Sequence, residues 1–109
     1  DFWSTPKRGV EDTRSRIEII QEAVGDRVPV IGVGSIYTAE DARKALISGI
    51  PLIGLGRGLL IDPEWVQKIE KGREDDIVTK LDIDKQHELV MPTPLWQRIL
   101  NNPGWVPGV

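Results

Sequence analysis

Val28-Pro-Val-Ile-Gly-Val-Gly-Ser-Ile36 and Pro51-Leu-Ile-Gly-Leu-Gly-Arg-Gly-Leu-Leu-Ile-Asp-Pro63 are two versions of one pattern. In each, an apolar run dissolves into glycine and is followed by a helix-start signal. The first run keeps hydrophobic side chains at consecutive rather than alternating positions, the pattern of a parallel strand buried on both faces beneath covering helices. Glycines just past the end of such a strand let an anion approach backbone N–H groups, which is how α/β proteins hold phosphate at the carboxyl ends of their strands.

Working outward, Thr13 to Val24 repeats apolar residues Ile17, Ile20, Ala23 and Val24 at helical spacing, with Arg14, Arg16, Glu18 and Glu22 mostly elsewhere on the wheel. Gly25 falls where a helix end favours positive φ. Thr38-Ala-Glu-Asp41 has the spacing of an N-terminal capping box, so a helix is expected over about 39–48, stopping at Gly49 and burying Ala42, Ala45 and Leu46. Residues 51–55 form the second strand. Asp62-Pro63 then reads as an N-cap with proline at the first helical position, opening a helix that carries Trp65, Val66 and Ile69 to about Gly72. Helix, strand, helix, strand, helix with short loops means consecutive βα units and a parallel sheet with right-handed crossovers.

The flanks are less regular. Residues 1–12 read as a loop, with Lys7 and Arg8 beside the exposed-looking Phe2 and Trp3, either a surface connection or a ligand-facing segment. Glu74 to Leu81 offers a further helical segment through Ile77, Val78 and Leu81. Thr93-Pro94 starts a last short helix reaching Leu100, and residues 101–108 are turn chemistry. Trp96 and Trp105 in so polar a tail are expected to pack back onto a larger body.

Two strands alone leave sheet edges unpaired and a core half built. Either further strands lie outside this chain, or copies self-associate to supply them. A start at Asp1-Phe-Trp, without an initiating Met, favours a fragment of something longer.

The bulk composition narrows the function. Across 109 residues, 14 Lys and Arg stand against 17 Asp and Glu, with no long block of either sign, which argues against nucleic acid as a partner. No apolar run approaches the roughly 20 residues that span a bilayer, so no membrane partner and a cytoplasmic location are expected. The absence of cysteine removes disulfides, thiolate metal sites and thiol nucleophiles, and one histidine cannot build a histidine-rich metal site.

The candidate chemistry therefore sits in the two turns. Gly32-Val33-Gly34-Ser35 lacks β-carbons where the first strand ends, and Gly56-Arg57-Gly58 repeats this with a guanidinium whose fork matches phosphate. The alternative is that these glycines only make tight turns, although their repetition in consecutive βα units favours a ligand. His87 lies in a polar stretch without a partner set by spacing and reads as a surface residue. Tyr37 reads as packing or loop lining. Asp82-Ile-Asp84 reads as a capped turn rather than a metal site.

Val28-Pro-Val-Ile-Gly-Val-Gly-Ser-Ile36, Gly56-Arg-Gly-Leu-Leu-Ile-Asp-Pro-Glu-Trp65 and Pro92-Thr-Pro-Leu-Trp96 together closely resemble the C-terminal part of NADH-dependent flavin oxidoreductases of the Old Yellow Enzyme family. The resemblance runs over essentially the whole chain. It implies an α/β fold, the C-terminal part of a (β/α)8 TIM barrel, with residues 1–12 leaving strand six, 13–72 forming the two βα units of strands seven and eight, and 73–109 a C-terminal extension of one FMN-binding domain.

By the same resemblance Gly34, Ser35, Gly56 and Arg57 contact the FMN phosphate, while Gly32 and Val33 line the approach. FMN is the implied cofactor, NADH or NADPH the reductant, and an activated alkene or similar small molecule the electron acceptor. The family's substrate-binding and proton-donating residues come from earlier strands. This chain is accordingly expected to hold no catalytic residue, no metal and no activity by itself. Two other readings stay open: a non-enzymatic α/β phosphate-binding module, and part of another phosphate-binding TIM-barrel enzyme.

Overall fold

The structure is a computed structural model that describes residues 1–6 and 13–109; the expectation for Lys7 and Arg8 lies outside the described residues. The chain divides into two compact units, Asp1–Gly56 and Arg57–Val109. No helix among the described residues is long and apolar enough to cross a membrane.

The first unit is a βαβ arrangement led by a helix. Helix α1 spans Arg16–Val24 and starts at a capping box: the buried Ser15 side chain accepts the Glu18 N–H, and the Glu18 carboxylate accepts the Ser15 N–H. Ile17 and Val24 are half-buried, but Ile20 and Ala23 are exposed, so only part of the expected stripe is covered. Gly25 departs from expectation. Its φ is −59°, ordinary right-handed backbone, and glycine fits there because a β-carbon would overlap Gln21.

Strand β1 (Ile31–Val33) and strand β2 (Leu52–Gly54) pair in parallel, with Ile31 opposite Leu52, Gly32 opposite Ile53 and Val33 opposite Gly54. The crossover between them is helix α2, Ala39–Ile47, which packs on β2. Its capping box forms as the spacing indicated: Thr38 Oγ1 accepts the Asp41 N–H at 3.0 Å and Asp41 Oδ2 accepts the Thr38 N–H at 2.9 Å. Ala39, Ala42 and Ala45 are its buried face, whereas Leu46 is exposed.

The sheet's two faces differ. On the closed face the buried Phe2 ring and Ile50 lie against Gly32 so closely that no β-carbon would fit. Phe2 is thus core rather than surface, leaving Trp3 as the exposed member of that aromatic pair. On the other face Ile31 and Val33 are 59% and 60% exposed, and Leu52 is exposed beside them. Burial on both faces, which the consecutive apolar pattern predicts, is not supplied by the described residues.

The second unit is mostly short helices and turns. The helix expected after Asp62 forms as α4 (Trp65–Glu70), with Glu64 rather than Asp62 at its N-cap position, and a short helix that the sequence does not signal, α3 (Arg57–Ile61), precedes it. Trp65 is buried while Val66 is exposed. The helix expected over Glu74–Leu81 is reduced to a 3-10 turn at Glu74–Asp76, after which Ile77 is extended. Helix α5 (Thr93–Leu100) follows its sequence signal, with Pro94 in the first turn and Trp96 and Ile99 buried. The tail beyond it folds back: the Leu81 N–H donates to the Pro107 carbonyl at 2.7 Å, and Val106 is completely buried.

Candidate functional site

Parallel pairing in this register places the ends of β1 and β2 side by side, so Gly34 and Ser35 after one strand and Gly56 after the other lie at the same edge of the sheet. The two turns are not equivalent. Gly34 has φ of +135°, and a β-carbon there would sit 2.6 Å from the Phe2 nitrogen. Its carbonyl accepts the Phe2 N–H at 3.0 Å. Glycine at 34 therefore serves the close approach of the N-terminal backbone. Ser35 is exposed and carries φ of +56°, a left-handed conformation uncommon for a residue with a β-carbon.

Gly32 and Val33 project to opposite faces of β1, Gly32 under Phe2 and Val33 on the open side. Gly54 leaves the room that Val33 occupies, since a β-carbon there would lie 2.9 Å from Val33 Cγ2. Gly56 is different again: it is exposed, and nothing lies within 4 Å of where its β-carbon would be. Packing explains glycine at 32, 34 and 54; at 56 it does not.

In the second unit Arg57 opens α3, and its Nη1 donates to the Trp105 carbonyl at 2.6 Å. Among the described residues no carboxylate pairs with it. The guanidinium is held by a neutral acceptor and keeps its charge available for an anion.

Asp62, read from sequence as a cap, does something else. It is 4% exposed; Oδ2 accepts Lys68 Nζ at 2.6 Å and the Val78 N–H at 2.9 Å, and Oδ1 accepts the Glu64 N–H at 3.1 Å. Burial alone would raise its pKa. The Lys68 hydrogen bond, the backbone donors and the Lys68 charge together outweigh that and hold the carboxyl below its ordinary value. This pair ties α4 to the segment at Val78 and is structural. A cleft of about 670 Å³ opens beside it, lined by Pro63, Lys68, Val78, Lys80 and Lys85 among others. Its charges are mixed, with Lys85 paired to Glu88 at 3.1 Å.

The remaining candidates fall where the plainer readings put them. His87 is exposed. Tyr37 is half-buried and its N–H donates to Asp41 Oδ2 at 3.1 Å. Asp82 Oδ1 accepts the Asp84 N–H at 2.9 Å, a capped turn. Sequence reasoning missed the Arg57–Trp105 contact, because 48 residues separate the partners and no local pattern links them.

Comparison with known proteins identifies the family. A probable NADH-dependent flavin oxidoreductase, YqiG, of Bacillus subtilis (strain 168) is 44% identical over 107 residues, which is 98% of this chain and 29% of that protein. An NADH:acrylate oxidoreductase of Vibrio harveyi is 39% identical over 65% of the chain and 7% of its own length. An NADH:fumarate oxidoreductase of Klebsiella pneumoniae (strain 342) is 30% identical over 86% of the chain and 11% of its own length. The chain thus spans less than a third of the length of these relatives. Residues 3–76 match the NADH:flavin oxidoreductase / NADH oxidase family, and the chain belongs to that family.

Proposed function

We propose that this chain is the C-terminal part of an NAD(P)H-dependent flavin oxidoreductase, in which β1 and β2 are the last two strands of a (β/α)8 barrel and the turns after them hold the phosphate of FMN. The observation that carries the reading is the parallel, in-register pairing of β1 with β2, which puts Gly34, Ser35 and Gly56 at one edge, with Arg57 next in sequence. In (β/α)8 barrels the loops after strands seven and eight frequently form a phosphate-binding site. Family membership favours this over a non-enzymatic module or a barrel of unrelated chemistry.

The residues present fit such a group. Gly56 is exposed with open space where a side chain would stand, so a phosphate can approach its backbone. Ser35 is exposed beside it on the neighbouring turn and offers a hydroxyl and an N–H. Arg57 contributes a charge that no described carboxylate neutralises. When bound, FMN would supply hydride transfer from NADH or NADPH to a small acceptor. Relatives named for acrylate and fumarate suggest an activated alkene as that acceptor. Within this chain the work is anchoring: Gly34, Ser35 and Gly56 donate through backbone N–H groups, Arg57 balances the dianion, and Val33 gives an apolar wall on the open face. No residue here is assigned a proton-transfer role.

The test is made on the full-length protein that carries this chain. The purified protein is expected to be yellow and to release FMN on denaturation; a colourless protein that takes up no added FMN would refute the reading. Arg57→Ala is expected to weaken FMN binding by about 2–4 kcal/mol, the size of losing a charged partner from a desolvated contact. Riboflavin, which lacks the phosphate, should bind both proteins alike.

A further inference from the structure

Arg57 is held from a distance by the segment Trp105–Val109. The Trp105 carbonyl that accepts its Nη1 belongs to a tail fixed at several points. The Pro107 carbonyl accepts the Leu81 N–H, the Gly104 N–H donates to the Val109 carbonyl at 2.8 Å, and the Val106 side chain is fully buried. Gly108, at φ of +99°, lies so close to Leu81 that a β-carbon would be 2.7 Å from the Leu81 nitrogen. Backbone thus packs on backbone, and the register of the tail cannot slide. The Trp105 ring is held in addition by Arg98, whose Cζ lies 5.8 Å from the ring centroid, a cation–π contact.

We propose that the Trp105–Val109 tail is a positioning element for the phosphate-binding arginine. An unrestrained arginine must give up much rotamer freedom when it grips a ligand, which weakens binding. Here one of the five guanidinium N–H donors is committed to a carbonyl on a fixed tail, so the planar fork is already placed and the other donors remain for an anion. The anchor is a neutral acceptor and leaves the positive charge intact. A carboxylate in the same place would order the side chain equally well and cancel the charge. Trp105 and Arg98 touch no ligand in this scheme; they act through Arg57. The inference rests on the reading of Arg57 as an FMN-phosphate residue.

The experiment compares FMN with riboflavin on the flavin-free full-length protein, by quenching of flavin fluorescence. The variants are deletion of Trp105–Val109, Trp105→Ala, Trp105→Phe and Arg57→Ala. Deletion and Trp105→Ala are expected to lower the preference for FMN over riboflavin by about tenfold, as a charged hydrogen-bonding group is held less well, with riboflavin affinity unchanged. Trp105→Phe keeps an aromatic face for Arg98 and should keep the preference. If Trp105→Ala lowers both affinities equally, or neither, the tail has only a structural role and the proposal fails, even should the deletion variant not fold. If Arg57→Ala leaves the preference unchanged, the phosphate reading of Arg57 fails and takes this inference with it.

Discussion

Replacing Asp62 with asparagine changes one charge and almost no volume, and the structure sets the size of the effect. The carboxylate satisfies three donors with two oxygens: Lys68 Nζ and the Val78 N–H on Oδ2, the Glu64 N–H on Oδ1. Asparagine has a single oxygen. Placed toward Lys68 and Val78, it turns its NH2 group onto the Glu64 N–H, donor against donor; placed the other way, it opposes two donors. At least one backbone N–H is left unsatisfied, costing about 1–3 kcal/mol. Lys68, 13% exposed, also loses its countercharge. Removing a partner outright from a buried pair costs about 3–5 kcal/mol, but the Asp76 carbonyl still accepts Lys68 Nζ at 3.1 Å. Asp62→Asn should therefore destabilise by about 3 kcal/mol, a large share of the roughly 5–15 kcal/mol typical of a domain.

Urea unfolding followed by tryptophan fluorescence measures this directly, because buried Trp65 lies three residues beyond the substitution. The pH dependence supplies a second reading with a definite sign. The folded pKa of Asp62 lies below its ordinary value of 3.8. Its stabilisation is consequently complete above that value and is lost as pH falls through the folded pKa. The gap between parent and variant should stay constant from neutral pH down to about pH 5 and narrow below 3.8. A loss under about 0.5 kcal/mol at neutral pH, or a gap that does not narrow in acid, would refute the assignment of Asp62 as a buried, ionised anchor.

Two further substitutions test the backbone. Val90 has φ of +52° and is 85% exposed. It closes a turn in which its N–H donates to the His87 carbonyl and the Met91 N–H to the Gln86 carbonyl, the hydrogen-bond pattern of a helix end that favours glycine. Val90→Gly should raise stability by about 1 kcal/mol in thermal melts, since relief of the strained branched residue exceeds the entropy that glycine adds; a destabilised variant would contradict the conformation. The glycine turns should respond oppositely. Gly34→Ala, at positive φ and against the Phe2 backbone, should cost about 2 kcal/mol or more of stability. Gly56→Ala should leave stability within about 1 kcal/mol of the parent yet weaken FMN binding in the full-length protein, and retention of FMN affinity would move the phosphate away from that turn.

What could be read from sequence was whatever a few neighbouring residues decide. Thr38 and Asp41 specify the start of α2 because both halves of the capping box lie within one turn, and Pro94 marks α5 for a similarly local reason. The parallel pair followed from two apolar runs with a helix between them. Elsewhere tertiary contact overrode the local signal. Ile77, Val78 and Leu81 have helical spacing, but Asp62 accepts the Val78 N–H and Leu81 bonds to Pro107, so those backbone groups go to distant partners and no helix forms. Asp62 has the composition of an N-cap, yet Lys68 claims its carboxylate. Phe2 looked exposed because nothing nearby in sequence shows that it closes over Gly32.

The open face of the sheet joins fold to function. Ile31, Val33 and Leu52 are apolar, branched and adjacent across the two strands, yet they lie exposed, while the opposite face is closed by Phe2, Ile50 and α2. A strand facing water on one side alternates polar with apolar residues. This sheet does not alternate; it carries the residue pattern of one covered on both faces. In the proposed barrel the open face is the inner wall, where branched side chains from neighbouring strands fill the interior, and the edge bearing Gly34, Ser35 and Gly56 is the rim above it. On that proposal the same two strands would account for both features: their side chains would build the interior and their ends would hold the anion. A phosphate site made of backbone N–H groups depends on strands held in fixed register, and a filled interior beneath them is what keeps that register.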